Sequence, residues 1–314
     1  MSRFALRRAG FLILTLLLVS LAVFVISEIV PFDVARNILG QFATDEQVKI
    51  LREKMGLDRA AHVRYAEWVA HLVRGDLGTS TQSGTPVRPL IVRRVGNSAI
   101  LAALAFVAIM PLGLCLGVIA GLREGRLVDR LISVSGLVMT AIPPFASGVF
   151  LIMIFALWLR WLPGTSALDT ETWAYEHPTK LILPVVALML ADVGYVARMT
   201  RASVAEVMRS SYVRTAILKG LPRRQVVLRH VLRNALLAPI TVVMLHINWL
   251  MGGLVVVESL FGFPGLGRMM LEAALNKDVP LIEAGAMVAT CIAITSQCAA
   301  DIVYTYLNPR IRYA

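Results

Sequence analysis

Six stretches of this chain are apolar over the length of a membrane crossing: residues near 10–30, 98–120, 131–159, 181–200, 234–260 and 281–306. A helix needs about 20 apolar residues to span the hydrocarbon of a bilayer. Backbone groups inside lipid have no water to bond, so such runs must fold as helices that satisfy their own N–H and C=O groups. These runs make the chain an all-α polytopic membrane protein with six transmembrane helices. Charged residues are only 16% of the 314, against about 25% in soluble domains. The first run follows Arg3, Arg7 and Arg8, as a signal peptide would. Its core exceeds the ~7–15 apolar residues of a cleavable signal, and no A-x-A-like site follows, so it reads as a retained span.

Orientation follows from the basic residues. With both termini inside, the segments 1–9, 121–130, 201–233 and 307–314, together with Arg198, hold 17 of the 31 Lys and Arg. This is the bias expected of cytoplasmic loops, and the chain is placed N-in and C-in. The same bias accounts for the net charge of +11 without a nucleic-acid partner. The domain reading is then a tail and first helix over 1–30, an external helical segment over 31–97, a transmembrane core over 98–306 with a cytoplasmic loop at 201–233, and a cytoplasmic tail at 307–314. The expected location is a membrane with these basic loops on its cytoplasmic side.

In the external segment, Thr44 and Gln47 have capping-box spacing ahead of Val48, Leu51 and Met55, and Gly56 ends that helix. Tyr65, Trp68, Val69 and Leu72 predict a second amphipathic helix before Gly75. These helices either cover the outer ends of the bundle or receive a soluble partner; periodicity favours neither. Gly113, Gly117 and Gly121 recur at the spacing that lets helices approach closely in lipid. Pro143 and Pro144 predict a kink in the third span.

Catalytic patterns are missing. The stretch from Gly78 to Thr85 has neither the spacing nor the Lys of a phosphate loop, and there is no H-E-x-x-H or G-x-S-x-G. Cys115, Cys291 and Cys298 lie within apolar runs, without the paired spacing of a metal site. No catalytic, metal or cofactor residue is expected. If ATP drives this protein, another chain binds it.

The most informative stretch is YVRTAILKGLPRRQVVLRHVLRN, residues 212–234, which holds Arg214, Lys219, Arg223, Arg224, Arg229, Arg233 and His230 and no acid. Tyr212 to Lys219 predicts a short helix with Val213, Ala216 and Ile217 on one side. Gly220 suits a left-handed helix end, and Pro222 suits the start of the next helix. A lipid-surface helix is an alternative reading of the charge, but it needs no Gly-Leu-Pro corner. A corner makes a protruding knob joined to two spans.

The stretch resembles the conserved cytoplasmic loop of bacterial ABC importer permeases. Arg214-Thr215-Ala216 stands in the E-A-A place, with Gly220 as the glycine and Leu232 as the leucine. The acid is absent, and His230 and Arg233 replace the isoleucine and proline. Those departures match the dipeptide/oligopeptide (peptide/nickel) branch, with its Y-x-R-T-A-x-x-K-G-L and R-H-x-L-R-N-A. Also similar to that branch are Gly56-Leu57-Asp58, Tyr65, Trp68, Gly75-Asp76-Leu77-Gly78-Thr79-Ser80, the run Glu258 to Arg268, and Asn308-Pro309-Arg310-Ile311-Arg312.

The resemblance covers the full chain. It implies a type I ABC importer permease subunit that passes di- or oligopeptides, or nickel, glutathione or another small solute. It implies as partners a second homologous permease, two cytoplasmic ABC ATPases that use ATP and Mg, and an external solute-binding protein, with membrane lipid around the bundle. The ATPase-coupling residues would be Tyr212, Arg214, Thr215, Ala216, Lys219, Gly220, Leu221, Arg223 and Arg224. Polar groups inside spans are costly and mark pathways or bonds between helices. On that ground Asp192, His246, Asn248 and Glu258 are candidates for the translocation path, and both readings stay open for each.

Overall fold

The computed structural model describes residues 2–29, 34–40, 42–169 and 172–307, with the backbone alone at 2–9, 28–29, 34, 37–38, 55, 241–252 and 301–307. Its helices in chain order are α1 (Ser2–Ile29), α2 (Val34–Leu39), α3 (Asp45–Met55), α4 (Ala61–Val73) and α5 (Val87–Leu122). Next come α6 (Leu127–Ala141), α7 (Pro144–Leu151), which continues as a π-helical stretch to Trp158, and α8 (Pro178–Met208). The remainder are α9 (Ser211–Leu218), α10 (Arg223–Gln225), π-helical residues Val226–Val231, α11 (Leu232–Ala235), α12 (Leu237–Phe261), α13 (Leu266–Leu275) and α14 (Val279–Leu307). Among the described residues, extended pairing is limited to one bridge, Thr79 with Pro86.

Four helices (α1, α5, α8 and α14) are long and apolar enough to cross a membrane, or up to six if each of two bent pairs is one span. One pair is α6 with α7 and its π-helical continuation, and the other is the end of α12 with α13. α12 alone has 25 residues. Three helices start before their apolar runs do: α5 at Val87, α8 at Pro178 and α14 at Val279. Hydropathy sees only side chains, whereas a helix propagates through backbone bonds and so carries Arg88, Arg93 and Arg94 within α5.

The chain divides into two compact units. The first comprises residues 1–96 and 265–295. Its α3 starts on the expected capping box, Thr44 with Gln47, and ends at Gly56 in the left-handed conformation. α4 lies on α1 through aromatic side chains: Phe24 meets Tyr65 edge-on at 5.3 Å between ring centres, and Ser20 Oγ bonds the Tyr65 hydroxyl at 2.8 Å. The Gly75-to-Ser80 motif is a turn. The Asp76 carboxylate accepts the Gly78 amide at 3.0 Å and lies 3.1 Å from His71 Nδ1. Those bonds, the Gly78 amide foremost, hold the Asp76 carboxyl below the usual carboxylate range. Ser80 Oγ and both the amide and hydroxyl of Thr81 donate to Asp278, which is buried just ahead of α14. Val87 and Ile91 of α5, Met269 and Ala273 of α13, and Leu281 and Ala284 of α14 form the core of this unit.

The second unit comprises residues 97–264 and 296–314. α8 is its central post, with α5, α6, α7 and α12 packed around it. The glycine stripe is a packing face. A Cβ on Gly113 would stand 2.7 Å from Val196 Cβ, one on Gly117 would stand 2.4 Å from Thr200 Cβ, and one on Gly121 would stand 2.7 Å from Val204 Cβ. On the opposite contact, a Cβ on Gly194 would stand 2.1 Å from the Gly136 carbonyl oxygen of α6. Small residues bring the backbones together where lipid supplies no hydrophobic drive.

The third apolar run departs most from expectation. The kink is a break of 99° between α6 and the helix that starts at Pro144. Two consecutive prolines force it. Each pushes its predecessor out of the α region, and Ile142 and Pro143 accordingly have ψ of 121° and 145°.

Candidate functional site

The α8–α12 connection is built as a corner. α9 buries Val213 and Ala216 against Val204, Val226, Val231 and Ala235. Ile217 stands 55% exposed rather than sharing that buried face, because one short helix resting along a narrow ridge buries only positions three apart. Past Lys219, Gly220 takes φ +75°. Its amide donates to the Ile217 carbonyl at 2.9 Å, and the Leu221 amide reaches back to the Ala216 carbonyl at 3.4 Å. This is the Schellman arrangement that terminates helices at glycine. Leu221 packs under the corner, and Pro222 caps the start of α10.

The return strut differs from a plain helix. Residues Val226–Val231 are π-helical, and α11 is separated from α12 by Leu236. Tyr212 on α9 accepts a hydrogen bond from Asn234 Nδ2 at 3.0 Å, and Ser203 Oγ on α8 donates to the Ala235 carbonyl at 2.7 Å. The knob is therefore closed on itself between α9 and α11, and α11 is tied to α8. Its outer face carries Arg214, Thr215, Lys219, Arg223 and Arg224, all exposed, with Leu218 79% exposed among them. Among the described residues those four cations make no ion pair with an acid. The knob thus presents a cationic, partly apolar ridge.

The intramembrane candidates separate. Asp192 is buried on α8, at 2% exposure. Glu258 is fully enclosed near the end of α12 and accepts a hydrogen bond from Ser98 Oγ of α5. The same corner is held by the Phe263 amide on the Glu258 carbonyl at 2.8 Å, Gly262 at φ +67°, and Asn97 Nδ2 on the Pro264 carbonyl at 3.1 Å. Glu258 thus has the geometry of a bond between helices, the alternative left open for it. The side chains of His246 and Asn248 lie outside the described residues, as does the Asn308-to-Arg312 motif. Among the described residues, no three His, Cys, Asp or Glu gather as metal ligands would.

Sequence reasoning missed one constellation. Asp129 at the start of α6 is 3% exposed and accepts both Arg201 Nε and, at 2.8 Å, Arg201 Nη2 from α8. The available signal was an acid and a base at the same-side ends of two neighbouring spans, but 72 residues separate them.

A family model described as the binding-protein-dependent transport system inner membrane component matches residues 113–313, and the corresponding N-terminal model matches residues 1–102. The chain belongs to this permease family. The permease is 32% identical over 313 residues to a probable peptide ABC transporter permease protein of Sinorhizobium fredii, with 100% of both chains covered. It is 34% identical, again over 100% of both chains, to the oligopeptide transport system permease protein AppB of Bacillus subtilis and to the glutathione transport system permease protein GsiC of Salmonella typhimurium. A solved structure, described as the crystal structure of an amino acid ABC transporter with histidines, matches with a TM-score of 0.50. That match has 16% identity and covers 69% of this permease and 94% of that chain. It supports the fold alone: an all-α, type I permease. The permease is a multi-pass membrane protein of a transport family, not of an enzyme family.

Proposed function

We propose that this permease is one of two homologous membrane subunits of an ATP-driven importer of small peptides in a bacterial inner membrane. An external solute-binding protein delivers the peptide, and two ATPase subunits in the cytoplasm grip the α9–α11 knob and use ATP with Mg. Closure of the ATPases tilts the spans joined to the knob and exposes the path alternately to either side. The observation that carries this reading is the Schellman corner at Gly220, which holds exposed cations and Leu218 outward on a mount closed between α9 and α11 and bonded to α8. The peptide class is supported by the relatives' names, since glutathione is itself a small peptide. Within the path, the buried carboxyl of Asp192 is the residue suited to meet a peptide amino group.

Affinity purification of the tagged permease from its native membrane tests the assembly. Recovery of a second permease, an ATPase and a binding protein that carries a peptide is expected. Recovery of the permease without any ATPase, or of a binding protein loaded with a metal ion, would contradict the proposal.

A further inference from the structure

Motion at the knob has to reach spans that the knob does not touch, and α6 is one of them. Arg201, near the end of α8, holds both oxygens of Asp129 in a two-pronged grip. The same carboxylate accepts the Gly125 amide at 2.9 Å and Ser133 Oγ at 3.3 Å, so one buried acid ties the α5–α6 turn, the start of α6 and α8 together. A second and more exposed pair, Arg209 with Glu124 at 2.7 Å, joins the end of α8 to the same turn. α5 is already fused to α8 through Gly113, Gly117 and Gly121, and α9 begins at Ser211, just past the end of α8.

We infer that the Asp129–Arg201 pair, added to the Gly136–Gly194 contact, is a clamp that makes the start of α6 follow α8 and the knob during the transport stroke. This rests on the proposed function, in which the knob is driven. Asp129 and Arg201 are positioning residues that act through the helices they join. Parting the pair leaves the buried Asp129 carboxylate without its cation, although the part-exposed Arg201 can regain water, so the pair disfavours states in which α6 and α8 separate. The body that it fixes ends at the 99° break after Ala141. Movement of α5, α6 and α8 as one block is therefore taken up between α6 and α7, at Ile142 and Pro143.

The test uses the complete transporter, with its partner subunits, in proteoliposomes. Asp129→Asn removes the charge at nearly constant shape, Arg201→Lys keeps the charge but loses the fork, and Arg209→Ala removes only the exposed pair. Two quantities are read: peptide imported per ATP hydrolysed, and the distance between spin labels at Leu131→Cys on α6 and Glu206→Cys on α8. The labelled protein lacks Cys115, Cys291 and Cys298. Import per ATP should fall about fivefold or more in Asp129→Asn, fall less in Arg201→Lys, and stay unchanged in Arg209→Ala. The label distance should be the same with and without nucleotide in the parent, and should change with nucleotide in Asp129→Asn. If Asp129→Asn does not fold, Arg201→Lys carries both measurements. An unchanged import ratio would overturn the clamp. So would import and hydrolysis falling together while the label distance stays fixed, which is the behaviour of a pair that only stabilises the fold. A parent complex that hydrolyses ATP but imports no peptide would refute the proposed function instead, and the label distances would still judge the clamp.

Discussion

A side chain at Gly220 would meet nothing within 4 Å, yet the residue sits at φ +75°, where L-residues are strained. The cost of substitution there is conformational, not steric. Valine in a left-handed position loses about 1–2 kcal/mol, whereas asparagine tolerates it better. Gly220→Val should therefore insert and fold but turn the corner wrongly, and peptide uptake in vesicles should drop severalfold while Gly220→Asn stays close to the parent. Glu258 behaves oppositely, because it is fully enclosed and bonded to Ser98. Glu258→Ala should lower the thermal midpoint of the detergent-solubilised protein, at a cost of about 1–3 kcal/mol for the lost buried hydrogen bond, whereas Glu258→Gln should retain most of the stability. For Asp192, unchanged uptake by Asp192→Asn would remove it from the path; the proposal expects reduced uptake. At this scale the Gly220 corner was readable in the sequence, since a helical pattern followed by Gly-Leu-Pro leaves few alternatives. The partners of Asp129 and Glu258 were not. Each is a long-range bond, and no local spacing encodes a neighbour on another helix.

Between helices, the α5–α8 seam is packed through three glycines in a row. The Gly117 Cβ position lies 2.6 Å from the Ala197 carbonyl oxygen, so even alanine forces the two backbones apart. Gly117→Ala should cost about 1–3 kcal/mol through overpacking, read as a lower unfolding midpoint. Gly10→Ala on α1, where nothing lies within 4 Å, serves as the control and should leave the midpoint unchanged. The stripe was legible because small residues every fourth position have one main use in lipid. The 99° break was only half legible. Two prolines foretell an interruption, but the angle is set by how α6 and α7 each pack against α8. The π-helical stretch before α11 is six residues long, too short for the shift it makes in the apolar pattern to stand out in the sequence.

At the level of the whole molecule, the proposed function is mechanical. The permease carries no catalytic constellation among its described residues. In the proposed function it supplies a membrane path, a cationic knob and the helices that join them. Screening distinguishes how the knob would be held from how it folds: in the proposed function, contacts from Arg214, Lys219, Arg223 and Arg224 to an acidic groove would weaken with salt, whereas the buried Val213 and Ala216 face would not. Retention of the ATPase subunits on the tagged permease should therefore fall as ionic strength rises, with the permease itself remaining folded. The most direct measurement is ATP-dependent uptake of a labelled di- or tripeptide by proteoliposomes containing the permease, its partner permease, the ATPases and the peptide-loaded binding protein, comparing the parent with Gly220→Val. The account predicts uptake that requires ATP in the parent and is severalfold lower in Gly220→Val at equal amounts of assembled complex. Uptake that proceeds without ATP, or that is equal in the two proteins, would contradict it.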